Sequence, residues 1–183
     1  RMTYGRRPAA LSVRDEATCL AGSCGWLGRE QQDAAGLVTF ASQIRRRLRP
    51  ASNTSHLKQM IQVMETATPG KKTAAGPIFH ELAERLKKRG VVMIFSDFFD
   101  NVNSLLAGLK HFHHRRHDVV LLHVLDPAEL DFPFQRPTQF QGLEEFPDVM
   151  TDPQSLRRAY LKELGIFQQK LREGCRTMNI DYE

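Results

Sequence analysis

Ser96, Asp97 and Asp100 follow directly on Val91-Val92-Met93-Ile94-Phe95, an uninterrupted apolar run behind Gly90. Carboxylates here, joined to a threonine hydroxyl, suit a hard cation, Mg²⁺ or Mn²⁺, that keeps several of its waters. Apolar neighbours disfavour a bare carboxylate, so Asp97 needs backbone donors, a cation or exposure at a rim. Thr73, in the stretch Lys71-Lys72-Thr73, adds a hydroxyl to the same oxygen-only set. The plainer use of both residues is as helix caps, Thr73 for the helix after it and Asp97 for one starting near Asn101. A third use is phosphoryl chemistry, with Asp97 as nucleophile, Asp100 near it and Lys71 or Lys72 holding phosphate. No glycine-rich phosphate loop accompanies it, and no second aspartate stands two residues on.

His111, His113, His114 and His117 gather at the end of a helical pattern. His113 and His117 could share a face and bind a transition metal, but cations at a helix C-terminus are also electrostatically ordinary. The electrostatic reading is the expectation. His80 and His123 stand alone, and His123 lies within a strand, where a core or rim role is expected. Nucleophile-elbow, dinucleotide-fingerprint and zincin motifs are absent.

The elements that must position these residues follow from periodicity. The run from Val91 to Phe95 predicts a strand buried on both faces. Helical patterns on either side of it predict a parallel α/β sheet. In such sheets ligands bind beyond the carboxyl ends of the strands, where Asp97 is expected. From Pro8 to about Arg29, Val13, Ala17, Leu20, Cys24 and Leu27 recur at three- and four-residue steps, predicting a helix with Pro8 in its first turn. Gly22 and Gly25 within it imply close packing on a sheet. Ala34 to Phe40 and Gln43 to Leu48 predict an antiparallel hairpin across Ala41-Ser42, its arginines marking an exposed edge.

A helix with Leu57, Met60, Ile61 and Met64 follows a cap drawn from Ser52, Asn53, Thr54 or Ser55, and ends before Pro69-Gly70. The next carries Ile78, Leu82 and Leu86 and closes in Lys87-Lys88-Arg89, with Gly90 as its C-cap. Val102, Leu105, Leu106 and Leu109 mark a helix to about Arg116, and Val119 to Leu125 a second buried strand. Residues 126–151 predict an ordered loop with a short hairpin near Phe140 to Val149. Asp152-Pro153 starts a last helix whose core face is Leu156, Tyr160, Leu164, Phe167, Leu171 and Cys175.

A chain of 183 residues, 41% hydrophobic and 26% charged, suits one domain with its own core. No apolar run approaches the ~20 residues of a membrane span, and no leader is visible. Cys19, Cys24 and Cys175 lack metal-ligand spacing and read as reduced core residues, so a cytoplasmic setting is expected. The net charge of +5 comes with arginine clusters at Arg6-Arg7, Arg45-Arg46-Arg47, Arg115-Arg116 and Arg157-Arg158. These are scattered and without interleaved aromatics, which reads as solvated faces rather than a nucleic-acid surface. The chain opens at Arg1 and stops at Asp181-Tyr182-Glu183, just where a strand could begin. It is therefore expected to be one domain, residues 1–183, truncated at both ends.

Several stretches resemble the bacterial domain of unknown function 58 proteins, which carry a von Willebrand factor A-like domain. They include Gln31 to Phe40, Leu48-Arg49-Pro50, His56-Leu57, His80 to Arg85, Arg89 to Val92 and Ser96-Asp97-Phe98-Phe99-Asp100. His123 to Leu130, Phe132-Pro133-Phe134 and Thr151-Asp152-Pro153 through Tyr182 extend the likeness over nearly the whole chain. The resemblance implies a Rossmann-like sheet with helices on both faces, its central first strand absent from this chain. It also implies a metal-ion-dependent adhesion site in which Thr73 and Asp97 supply the second and third loops around Mg²⁺ or Mn²⁺.

In such a site a partner's acidic side chain completes the cation, so the implied role is protein interaction rather than catalysis. Genes of the family commonly lie beside MoxR-type AAA+ ATPases, which implies such an ATPase as partner. The alternative is a metal-dependent phosphohydrolase using Asp97 and Asp100. The family's first loop, Asp-x-Ser-x-Ser, is represented only by its end, with Arg1 where its second serine would stand. The acidic residue that often follows the threonine is Ala74. With one carboxylate in place of two, this chain alone is expected to hold Mg²⁺ weakly.

Overall fold

The computed structural model describes residues 12–68, 74–134, 138–140, 149–151 and 153–183. Ser12 opens α1 (Val13–Glu30) through a capping box with Asp15, each residue's side chain bonded to the other's backbone amide. The described helix starts at Val13. Its glycines face a helix rather than a sheet. A Cβ on Gly25 would stand 3.3 Å from Met60 and 3.4 Å from Leu57, both on α2 (Thr54–Thr66), whose N-cap is Asn53. Val13 and Ala17 are buried, but Leu20 and Leu27 are about half exposed and Cys19 is exposed, so the expected core stripe covers only the first half of α1. Cys175, by contrast, is fully buried.

Strands β1 (Ala35–Phe40) and β2 (Ile44–Ala51) form the expected antiparallel hairpin, with Leu37 opposite Leu48 and Thr39 opposite Arg46. Helix α3 (Ala75–Arg85) stops at Leu86, which turns extended and packs against the core. Tertiary packing thus ends this helix before Gly90, which is not its C-cap. Next come β3 (Val91–Ser96), α4 (Val102–His114), β4 (Asp118–His123) and the short α5 (Pro127–Asp131), the last capped by Asp126 within what the sequence predicts as loop. Strands β5 (Thr138–Phe140) and β6 (Val149–Thr151) pair antiparallel around the expected hairpin position. Helix α6 (Pro153–Thr177) and β7 (Asp181–Tyr182) complete the chain. The expected N-cap Asp152 lies outside the described residues, as do Pro8, Lys71, Lys72 and Thr73.

The parallel sheet has the order β3-β4-β7, with Val91 opposite Asp118 and Ser96 opposite His123. Alternation along β3 sends successive side chains to opposite faces. Ile94 joins Phe79 of α3, Leu105, Leu109 and Phe112 of α4, and Leu171 and Cys175 of α6 in the larger core. Phe95 turns the other way, toward Val13 and Ala17 of α1 and Val124. Helices therefore cover both faces, and the fold is α/β.

One expectation fails here. β3 is not buried on both faces, since Val91 is 62% and Met93 45% exposed. The reason is topological, because β3 bonds only β4 among the described residues and its far edge is open.

Helices α3 and α4 approach closely through glycine. A Cβ on Gly108 would lie 2.5 Å from the Gly76 carbonyl oxygen, and one on Gly76 would lie 2.5 Å from that of Ser104. Only glycine allows backbones this near. The contact fixes the first turn of α3 against the first turn of α4, at the carboxyl edge of the sheet. At the opposite edge α4 and α6 each end in a Schellman turn, closed by His117 N–H to Phe112 O (3.0 Å) and Ile180 N–H to Cys175 O (3.0 Å). The left-handed residues of these turns are Arg116 (φ 60°) and Asn179 (φ 56°). Because the turn begins at Arg115, His117 leaves the helix and does not share its face with His113.

Candidate functional site

The residues beyond β3 form a short, braced loop. Ser96 is buried, and its hydroxyl oxygen accepts the N–H of Phe98 (3.1 Å) while the hydroxyl faces Asp97 Oδ1 at 3.4 Å. Phe98 adopts a left-handed conformation, φ 50°, which is unusual for a bulky residue. Such a conformation costs on the order of 1–3 kcal/mol and persists only where its surroundings over-determine it. Here the Phe98 ring is buried to 2% exposure, and its carbonyl accepts the N–H of Asp100 (2.6 Å). The loop thereby holds Asp97 at the carboxyl edge, as expected, with 9% exposure.

Asp97 does not cap α4. That task falls to Asn101, whose side-chain oxygen accepts the N–H of Ser104 at 3.0 Å. Asp100 has a role that sequence reasoning missed. Its Oδ2 accepts the N–H of Ala75 (2.8 Å), the first residue of α3, and its Oδ1 accepts the N–H of Asn101 (2.7 Å). Since Ala74, the N-cap position of α3, makes no side-chain cap bond, Asp100 caps that helix from another loop. Its negative charge also suits the positive end of the helix dipole. The N–H of Ala74 reaches the carbonyl of Ala41, just past β1, at 3.4 Å. Ala74 and Ala75 are thus clamped between the end of β1 and the loop after β3. The only sequence signal for Asp100 was its place ahead of Asn101, which fits a local cap equally well.

His123, at the end of β4 opposite Ser96, sits among Phe98, Phe99, Phe167 and Tyr182. Its Nδ1 lies 2.5 Å from the Tyr182 hydroxyl. Burial pushes its pKa below the ordinary value, while the backbone and carboxylate of Asp97 oppose that shift. His123 therefore has the expected rim position. His80 is not alone, since its ring packs against His111 at 4.0 Å.

A parallel sheet between two helical layers, with a braced acidic loop at its carboxyl edge, defines an α/β domain whose rim carries the candidate residues. Over residues 1–168 the chain matches the family described as protein of unknown function DUF58, and it belongs to that family. No curated protein and no solved structure matches the chain. No helix among the described residues is long and apolar enough to cross a membrane.

Proposed function

We propose that this chain forms most of a von Willebrand A-like domain that acts by protein interaction, without catalysis, through a rim site including Asp97 and Thr73. The observation that carries this reading is the clamp at Ala74 and Ala75, the residues that follow Thr73 in sequence, against the Asp97–Asp100 loop. The donors described on this rim are oxygens, from Ser96 and Asp97, and a threonine hydroxyl from Thr73 would add to a set that fits Mg²⁺ or Mn²⁺. One carboxylate leaves most of the coordination to water and to an acidic side chain of the partner. A cation held there supplies the bond that a partner's carboxylate completes. Ser96, Asp97 and Thr73 would hold it.

The von Willebrand A-type sheet is supported by the free edges of β1 and β3. Each pairs with a single strand among the described residues, and α1 touches both. One further parallel strand between them would continue a single sheet. A MoxR-type AAA+ ATPase in the cytoplasm is the proposed partner, on the strength of the family. The alternative, a phosphohydrolase, would put Asp97 and Asp100 in catalysis, whereas Asp100 here accepts two backbone amides and caps α3.

The test uses the complete reading frame that contains this chain, with immobilised ATPase as bait. Capture in Mg²⁺ that is lost in EDTA and in Asp97→Asn is expected, with no turnover of p-nitrophenyl phosphate. Phosphoester turnover abolished by Asp97→Asn would overturn the reading.

A further inference from the structure

The outer edge of the first hairpin carries a feature independent of the rim site. β2 bonds only β1 among the described residues, and along it Arg45, Arg46, Arg47 and Arg49 are all exposed. A guanidinium does not lose its proton in a protein, so these charges are permanent. Among the described residues no carboxylate pairs with any of the four.

Two of the arginines are tethered by neutral oxygens. Arg45 donates to the Thr68 carbonyl at 2.8 Å and to its hydroxyl oxygen at 3.2 Å, and Arg47 donates to the Arg85 carbonyl at 3.2 Å. Such bonds hold the side chains in place without cancelling their charge. The Arg47 contact also brings β2 against the end of α3, where Glu81 is already engaged by Arg85. Lys87 and Lys88 follow in sequence, both exposed, and add to the same charge.

Charged side chains on an edge strand ordinarily keep it from pairing with other strands. β2 has that protection by other means, because its register with β1 shifts near both ends and Pro50 removes a backbone donor. Its arginines therefore exceed what edge protection requires. Like charges set side by side repel, so the strip also disfavours pairing with a second copy of itself. β2 has no aromatic residue on which a base could stack, whereas single-stranded nucleic-acid grooves join stacking platforms to their charge. The arginines follow one another at roughly 3.3 Å per residue, a spacing that an extended protein segment running alongside shares.

We propose that the arginine edge of β2 docks an acidic, extended segment of a partner protein, whose carboxylates meet these guanidiniums by charge-assisted hydrogen bonds.

The probe is a fluorescein-labelled peptide alternating glutamate and serine, titrated into the whole chain and followed by anisotropy, with its glutamine counterpart and oligo-uridylate as comparisons. Saturable 1:1 binding of the acidic peptide is expected, weakening as KCl is raised, with the amide resonances of β2 shifting first. Affinity should fall about tenfold in the double variant Arg46→Gln, Arg49→Gln. Neither side chain is bonded to the fold among the described residues, so the hairpin is kept, and circular dichroism checks it. Lys162→Gln, Lys170→Gln removes the same charge from exposed positions on α6 and should leave affinity unchanged. Absence of saturable binding, equal binding of the glutamine peptide, or an equal loss in the α6 variant would overturn the proposal. Unchanged affinity in the β2 variant, or tighter binding of oligo-uridylate than of the acidic peptide, would do the same.

Discussion

Asp97 and Asp100 are three residues apart and do different work. Asp100 spends both oxygens on backbone amides, one of them 25 residues away in sequence, at the start of α3. Removing a capping carboxylate costs about 1–2 kcal/mol, so Asp100→Ala should lower the free energy of urea unfolding by that amount. An unchanged midpoint would mean that α3 does not rely on it. The placement of Asp97 was legible, because an apolar run ending in an acid puts that acid at a strand's carboxyl end. The Asp100 cap was not, since a bond across that sequence distance leaves no local pattern.

His123 gives the residue scale a pH signature. Its folded pKa lies below the ordinary 6.5, chiefly from burial. The unfolded chain therefore binds this proton more readily, and the contribution is complete above that value and lost as pH falls through it. The urea midpoint should drop as the pH falls below the ordinary 6.5, and drop less in His123→Gln.

Among the elements, α3 and α4 depend on their glycine crossing. An added methyl at Gly108 would have to displace the backbone of Gly76, 2.5 Å away. Overpacking against backbone costs roughly 1–3 kcal/mol. Gly108→Ala should destabilise by that much, and it should also disturb the Asp100–Ala75 bond, visible as faster amide exchange at Ala75. Unaltered exchange there would separate the helix crossing from the rim. Apolar spacing revealed every long helix and the first hairpin, because those patterns are local. Helix ends were less legible. Leu86 stops α3 by packing on the core, and Arg116, not a glycine, takes the left-handed turn after α4. Gly22 and Gly25 signalled close packing, but only the tertiary arrangement showed that the neighbour is α2.

For the whole molecule, the decisive feature is the open side of β3. The apolar run promised a strand covered on both faces, yet Val91 and Met93 face solvent beside an edge that is unpaired among the described residues. A sequence can show that a strand is apolar throughout without showing which neighbour covers it. If the von Willebrand A-type sheet is right, a chain extended through its natural upstream sequence should slow amide exchange at the β3 edge. Exchange at β3 unchanged by that extension would remove the continued sheet from the account.

The Asp97 loop and the chain that follows Thr73 are proposed to form a cation site together. Its most direct test is Mn²⁺ titration of the complete reading frame, followed by paramagnetic broadening of assigned amide resonances. Phe98, Ala74 and Ala75 should broaden first, and Asp97→Asn should abolish the effect while leaving the spectrum folded. Broadening that begins elsewhere, at His113 for instance, or that persists in Asp97→Asn, would contradict it.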